Sequence, residues 1–540
     1  MLPEYLIAAL VGVLAHHAVF KKGEWHMSAP TVFGCYVIVC AVLNLAEIFL
    51  KGLQYRNPIP WRAFIFTATF TGSIFASIAV YRVFFHRLRQ FPGPPVAGIT
   101  KLWHSIKCLD SKNHLLLHGL HQKYGDFVRT GPAEVTVFSP EVLAKLDGPG
   151  SKCTKSVWYD FLLPHVGVTT IRNQPFHDQR RRVWTKGMST SEMVVYEGHI
   201  VSQVKKLEGI ISEGAEKGES INFSTYSYFF SFDVMGLFVF SRSFDMLTAE
   251  KWHSSITTLR RAMKILGPLS PVPWLAQIGL RWLRGYWVIK DWHAMVKWCE
   301  DRMVEHKDKT THDIASYLLL DSKKRNSIET DHNLLTGDAI VAIIAGSDTV
   351  APTMVFLFYE LLSHPELANK LCEELDGVDY TDPKALRSLP YLNAVIKETL
   401  RLHPAVPTGG YRDTPPEGMT IGGTYIPGNT TVVAPRYILQ RLPSCYTHAE
   451  KWIPERWTSA PELVLDSRSF LPFAQGRYTC LGKELAMTEM RMVTACLVSK
   501  YHISVAPGTN PGLVEEDMRD QFTATPGALH LKFTPRQNNA

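Results

Sequence analysis

The chain has no long run of like charge. Its 57 lysines and arginines against 50 acids leave a net charge of +7 over 540 residues, and the excess is spread along the sequence. With no basic stripe and no zinc-finger spacing, nucleic acid is not an expected partner. A mildly basic surface suits an acidic protein or anionic lipid heads instead. A disulfide framework is missing too. Nine cysteines, an odd number, are scattered without regular spacing, which argues against a stapled secreted domain and for a reducing compartment around the main body. Most of them should be inert, buried, small hydrophobes. Internal repeats and low-complexity tracts are also absent beyond the amino-terminal region. The length is therefore available for one large core with an appended segment.

Apolar sequence is abundant at the amino end. Residues 2–20, 31–50 and 63–85 are three apolar stretches, each about the 20 residues a helix needs to cross hydrocarbon. A cleaved signal peptide would show one shorter apolar region and a small-residue cleavage site. Residues 1–85 are therefore expected to form a membrane anchor with about three transmembrane helices. The first stretch carries Glu4, His16 and His17 near its ends, so an interfacial or re-entrant helix is the alternative there. The links, with Lys21 and Lys22 in one and Lys51, Arg56 and Arg62 around the other, do not set an orientation. The basic cluster Arg82, His86, Arg87 and Arg89 after the third stretch points the main domain to the cytosol. Residues 86–95, ending in Phe91-Pro92-Gly93-Pro94-Pro95, read as a stiff proline-rich hinge. The catalytic domain is then expected over 96–540.

Within that domain helical patterns dominate, notably over 191–214, 287–306, 338–363 and 391–402. Residues 134–138 alternate like a half-buried strand. Residues 419–426 and 430–433, punctuated by Gly422-Gly423 and Pro427-Gly428, read as a hairpin. The fold class expected is mainly α with small β-sheets.

One cysteine stands apart. Phe473-Ala-Gln-Gly476-Arg477-Tyr478-Thr479-Cys480-Leu481-Gly482 runs directly into an amphipathic helical pattern. That places Cys480 at a helix N-terminus, where the dipole and free N–H groups favour thiolate over thiol. The flanking glycines let backbone approach a flat ligand closely, and Arg477 and Lys483 suit anionic groups. A lone cysteine after a turn is more often structural. The spacing F-x-x-G-x-x-x-C-x-G, however, resembles the haem-binding loop of the cytochrome P-450 family. One departure is plain: the family's common arginine lies two residues before the cysteine, where this chain has Tyr478, and Arg477 lies one place earlier.

Other motifs fall in the order the resemblance requires. Glu398-Thr-Leu-Arg401 alone is what any solvated helix face shows. In the family an E-x-x-R of this context is a buried structural network completed by an arginine, here Arg456 in Pro454-Glu455-Arg456-Trp457. Ala345-Gly346-Ser347-Asp348-Thr349 puts a glycine and an acid inside an apolar helix, both unfavourable there. A helix kinked at Pro352 explains this without function. The segment also resembles the family's oxygen-activation motif, in which the helix opens locally, Thr349 hydrogen-bonds the bound dioxygen and Asp348 relays protons. His177 and Arg181, in a basic helical turn, match a family pair that binds a haem propionate, and Arg412 matches a further propionate contact.

The resemblance implies a haem b cofactor held by the Cys480 thiolate and electrons from NADPH. These arrive through a membrane-bound NADPH–cytochrome P-450 reductase, with cytochrome b5 as a further donor. It implies a monooxygenase on the endoplasmic reticulum membrane with a cytosolic catalytic domain. Its loop is similar to fungal secondary-metabolism members, which implies a terpenoid, alkaloid or polyketide substrate. The substrate-facing stretches would be 157–170, 226–246, 342–345, 405–410 and 522–525, mostly apolar and suited to a lipophilic molecule. Two readings compete. A reductase-independent haem-thiolate isomerase or dehydratase would have no use for Asp348 and Thr349. A haem-free membrane receptor would leave the ordered motifs without a purpose.

Overall fold

The computed structural model describes residues 2–52, 61–309 and 311–536. The three apolar stretches are helical: Leu2–Ala15 continued by His16–Phe20, then Ala29–Gly52, then Trp61–Val80 continued by Tyr81–Phe85. Each is long and apolar enough to cross a bilayer, and most of its surface is not covered by protein. The link at 53–60, with Arg56, lies outside the described residues.

Contacts set the directions of these helices. Glu4 pairs with Arg62 at 2.8 Å, and His16 Nδ1 lies 2.7 Å from Ser77 Oγ, so the first and third helices run parallel. Tyr36 bonds Thr71 at 2.9 Å, and the Glu47 carboxylate accepts from the N–H groups of Arg62 and Ala63. The second helix is therefore antiparallel to them, and Glu47 caps the third at its positive dipole end. Gly12 lies against Phe70 and Ser73, where a Cβ would come within 2.0 Å of Ser73 Oγ. Small residues permit such close approach between apolar helices. It follows that the turn at 21–28 lies at the same end as residues 81–85, where the main body begins.

The proline-rich segment is docked rather than free. Leu88 and Phe91 are buried, and Arg129 N–H donates to the Pro92 carbonyl at 2.7 Å. The basic cluster expected to face the cytosol is partly engaged with the main body: Arg82 donates to the Ile99 carbonyl at 2.6 Å and Arg87 to that of Asn429 at 2.7 Å.

Among the described residues, the main body is α-rich with four small sheets. Its five-stranded sheet runs in the order Phe127–Gly131, Glu134–Val137, Thr431–Val433, Tyr411–Asp413, Thr154–Lys155. The hairpin reading needs correction. Met419–Ile421 and Thr424–Ile426 pair with each other around Gly422-Gly423, both at positive φ, as a tight two-residue hairpin turn requires. Thr431–Val433 instead lies parallel to Glu134–Val137 and antiparallel to Tyr411–Asp413. Alternation marks a strand, but a parallel partner is set by a long crossover rather than by local sequence.

Helices Thr190–Glu216, Trp287–Glu305 and Pro390–Leu402 match the expected ranges closely. The fourth begins earlier than expected, running His332–Ser363. Asp338 thus lies inside the helix rather than at its start. It is buried in mid-helix, accepting from Arg180 Nε at 2.5 Å, Val168 N–H at 2.7 Å and Trp184 Nε1 at 3.1 Å. By composition this helix could also span a membrane, yet 78% of its most apolar window is buried. It is the core helix, and it packs along the aromatic helix Phe223–Phe240.

Below the cysteine loop lies a buried charge network. Glu398 accepts from Arg401 at 2.8 and 2.9 Å, Arg456 Nε at 3.1 Å, Trp457 Nε1 at 2.9 Å and Ile453 N–H at 2.9 Å. Arg401 also donates to the carbonyls of Gln440, Ala449 and Lys451, and Arg456 to those of Thr447, His448 and Leu463. Trp457 packs on Phe470, ring centroids 4.5 Å apart, just ahead of the cysteine loop. Removing one partner from such a buried cluster leaves uncompensated charge. Glu398→Gln should therefore destabilise the fold by about 3–5 kcal/mol, read as a lower urea midpoint of the detergent-solubilised protein. Trp457→Phe, which removes one hydrogen bond to the carboxylate, should cost about 1.5–3 kcal/mol.

Candidate active site

The cysteine loop is built by backbone bonds. Cys480 N–H donates to the Phe473 carbonyl at 2.8 Å and Thr479 N–H to that of Gly476 at 3.2 Å. Gly476 sits at φ +60°, and a Cβ there would come within 2.2 Å of the Asp147 carbonyl oxygen, so only glycine fits. Gly482 has open space where a side chain would be. The following helix is Lys483–Lys500 with Gly482 as its cap. Cys480 therefore precedes the helix by a short turn rather than opening it. Cys480 is accessible, whereas Cys108, Cys153, Cys299, Cys445 and Cys496 are buried.

Desolvation by the surrounding protein nevertheless pushes the thiol up. The Gly482 N–H and the charges of Arg181 and Lys483 pull it down, without prevailing. The loop alone thus does not hold a thiolate; a bound cationic centre would complete that task, since a coordinating thiol is deprotonated outright.

Beside the loop sits a cationic cluster. Arg412, on strand Tyr411–Asp413, stands opposite Lys155 in the sheet register. Its guanidinium lies 4.5 Å over the Tyr478 ring and bonds Asp147 Oδ1 and Tyr159 OH, each at 2.7 Å. His177 meets the Tyr478 ring edge-on at 5.1 Å. Its Nδ1 lies 3.1 Å from Asp178, and burial lowers its pKa to about 4. Arg477 is exposed and pairs with Asp178. Tyr478 therefore fills the place of the expected arginine, with Lys155 and Arg412 over its ring and the neutral His177 imidazole at its edge.

Lys155 is the residue that sequence reasoning missed. Only 3% exposed, it donates to the Val168 carbonyl at 3.2 Å and lies 4.9 Å over the Tyr478 ring. Among the described residues it pairs with no carboxylate. Burial and the Arg412 charge push its pKa well down. Nothing in Ser151-Lys152-Cys153-Thr154-Lys155 marks it; it becomes visible only when its strand pairs with that of Arg412. A buried lysine without a carboxylate partner, near Arg412 and Arg181, with Arg181 in turn near an accessible thiol, fits a flat group carrying two carboxylates and a thiolate-seeking metal, as haem does.

The core helix carries the second part. Ala345 is exposed on an otherwise buried stretch, and Thr349, one turn on, is partly so. Thr349 Oγ1 donates to the Ala345 carbonyl at 2.7 Å. The expected local opening is not seen: the helix runs unbroken through this stretch. Pro352 lacks an N–H, however, and so withholds a helical bond from the Asp348 carbonyl. Gly346 has a packing reason of its own, since a Cβ there would meet Met235 Sδ at 2.2 Å. Asp348 is buried, and burial pushes its carboxyl up to about 6, against the pull of Arg260. Arg260 lies over the Tyr228 and Trp252 rings at 4.2 and 4.4 Å and is a second residue the sequence did not single out.

Of the expected substrate-facing stretches, two, 157–170 and 522–525, meet in an aromatic stack with Tyr411, just past a third. The Trp158 ring lies 5.3 Å from Tyr411 and 4.6 Å from Phe522, near-parallel to both.

Known proteins resemble this chain. The sequence profile of the Cytochrome P-450 family matches residues 92–533. Cytochrome P-450 monooxygenase FCK2 of Fusarium pseudograminearum is 34% identical over 98% of this chain and 98% of its own. Tryprostatin B 6-hydroxylase of Aspergillus fumigatus is 33% identical over 96% of this chain and 93% of its own. Among solved structures, the cytochrome P-450DA haem domain has a TM-score of 0.68 at 18% identity, covering 83% of this chain and 98% of its own.

Asp348 yields a test independent of chemistry. Its carboxyl is held above the ordinary 3.8, at about 6, so the folded state binds a proton that the unfolded state has lost. Stability is then lost as pH rises from about 4 to about 6 and stays lost above. Relative to wild type, Asp348→Asn should gain about 2–3 kcal/mol between pH 4 and pH 7, measured by urea unfolding at both pH values. A gap independent of pH would contradict this environment for Asp348.

Proposed function

This chain belongs to the cytochrome P-450 family, and from that premise we propose a membrane-anchored, haem-thiolate monooxygenase that oxidises a lipophilic secondary-metabolite intermediate. A terpenoid, alkaloid or polyketide scaffold is the substrate class, in keeping with fungal relatives such as the tryprostatin hydroxylase. The observation that carries the reading is the accessible Cys480 beside a buried cation cluster with more positive charge than its carboxylates neutralise.

In this reading Cys480 Sγ would ligate the iron of haem b, and the Phe473, Gly476 and Arg477 backbone shapes the loop around it. Arg412, Arg181, His177 and Lys155 would hold the propionates, beside the Tyr478 ring. When bound, the haem supplies reductive activation of dioxygen, with electrons from NADPH through a reductase and electron donation from the thiolate favouring O–O cleavage.

The chain's own groups do the rest. Ala345 and Thr349, accessible on the otherwise buried core helix, would face the bound group and substrate. Thr349 Oγ1 releases the Ala345 carbonyl and donates a hydrogen bond into the gap. Asp348, ionising near 6, is poised to take up and pass a proton at neutral pH. The stack of Trp158, Tyr411 and Phe522 excludes water and orients an apolar substrate. The exposed apolar helices at 2–20, 29–52 and 61–85 anchor the enzyme in the endoplasmic reticulum membrane with its main body in the cytosol.

Microsomes holding the full chain and a reductase, fed candidate pathway intermediates and NADPH, test this. Wild type should form a hydroxylated product. Thr349→Ala should consume NADPH while releasing peroxide, and Asp348→Asn should slow turnover by about 10²-fold. Lys155→Met should lower haem retention after gel filtration more than Lys152→Met. Turnover of a lipid hydroperoxide without NADPH, with Thr349→Ala unaffected, would favour the isomerase reading instead.

A further inference from the structure

The turn between the first two apolar helices is bonded to the main body. Glu24 accepts from both terminal nitrogens of Arg172, at 2.8 and 2.9 Å. Arg172 also donates to Asp160 Oδ2 at 2.6 Å and, through Nε, to the Lys155 carbonyl at 3.1 Å. His26 Nε2 completes the group, 2.9 Å from the same Asp160 oxygen. Glu24, His26 and Asp160 have ligand atoms within 4.8 Å of one another, the spacing of a metal site. The Arg172 guanidinium already bonds both carboxylates, so this is an ion-pair clasp rather than a cation site.

A second contact holds the same segment. Gln277, on helix Pro273–Trp282, donates to the carbonyls of Asp160 and Phe161 at 3.3 and 3.1 Å. The Trp282 ring of that helix lies 5.3 Å from Phe33 on the second apolar helix, and Gly34 leaves room for it. Trp274, Trp282, Leu283 and Tyr286 are exposed, as aromatic and apolar groups are where a protein meets a bilayer surface. Residues 157–172 are therefore gripped by the anchor on one side. On the other they reach the site: Trp158 stacks on Tyr411 and Phe522, and Val168 N–H bonds Asp338 of the core helix.

We propose that the turn between the first two apolar helices is a working part of the substrate entrance: Glu24 and His26, through Arg172 and Asp160, position residues 157–172 and so set the access of bulky lipophilic molecules. The inference rests on the haem reading above and on those residues lining the path to the site. Arg172 and Glu24 are positioning residues; neither touches the reacting centre.

The full-length enzyme in microsomes carries the test. Two haem ligands of different size serve as probes, imidazole and a bulky triphenylmethyl azole, each followed in stopped flow by the Soret shift. Glu24→Gln and Arg172→Gln should each speed entry of the bulky azole by about fivefold and leave imidazole within about twofold. The double variant should go no faster than Arg172→Gln alone, because that change already removes the Glu24 bonds along with Arg172's own to Asp160 and the Lys155 carbonyl. Glu213→Gln, which breaks an exposed ion pair with Lys217 elsewhere, should change neither rate. Glu24 lies on an exposed turn, so its variant reports even where Arg172→Gln fails to fold. Equal bulky-azole rates in Glu24→Gln and wild type, or equal acceleration of both probes, would overturn the proposal. Absence of any imidazole shift in wild type would instead overturn the haem reading.

Discussion

Glu398 is one carboxylate shared by two guanidinium groups, with none of the three in contact with water. Its neighbours are committed in turn: six backbone carbonyls accept from the two arginines, and an indole and an amide N–H donate to the acid. Such a cluster adds little net stability over an apolar core, but it tolerates one arrangement only. That arrangement fixes the segment 446–470 and, through Trp457 on Phe470, the start of the cysteine loop. A thiol that must remain accessible yet immobile needs a rigid support of this kind.

The opposite demand shapes the space beside the loop. Lys155 and Arg412 face each other across adjacent strands and share the Tyr478 ring. Asp147 offsets one of these charges. Burying the other without an anion is costly, and local rules broken at this cost mark a ligand site. Tyr478 fits here because an aromatic face accepts cations, which an arginine at that position would repel. The departure from the family motif and the presence of Lys155 are thus two parts of one solution.

Much of this was legible beforehand. The apolar stretches, the long helices and the cysteine loop with its ordered partners depend on local pattern, which the sequence displays directly. What was not legible depends on pairing between distant segments. Lys155 acquires meaning only opposite Arg412, Arg260 only near Asp348, and Thr431–Val433 only beside Glu134–Val137. The proline-rich segment and the turn at 21–28 were read as links, since nothing local shows that Arg129 and Arg172 bind them down. Gly346 shows the reverse error: a glycine assigned to function also has a plain steric cause in Met235.

The central claim is that Cys480 ligates haem iron as a thiolate. The most direct measurement is the absorption spectrum of the reduced full-length protein under carbon monoxide. A strongly red-shifted Soret band, present in wild type and lost in Cys480→Ser, is the predicted result. A haem protein whose band stays unshifted, or a red-shifted band that survives Cys480→Ser, would contradict it.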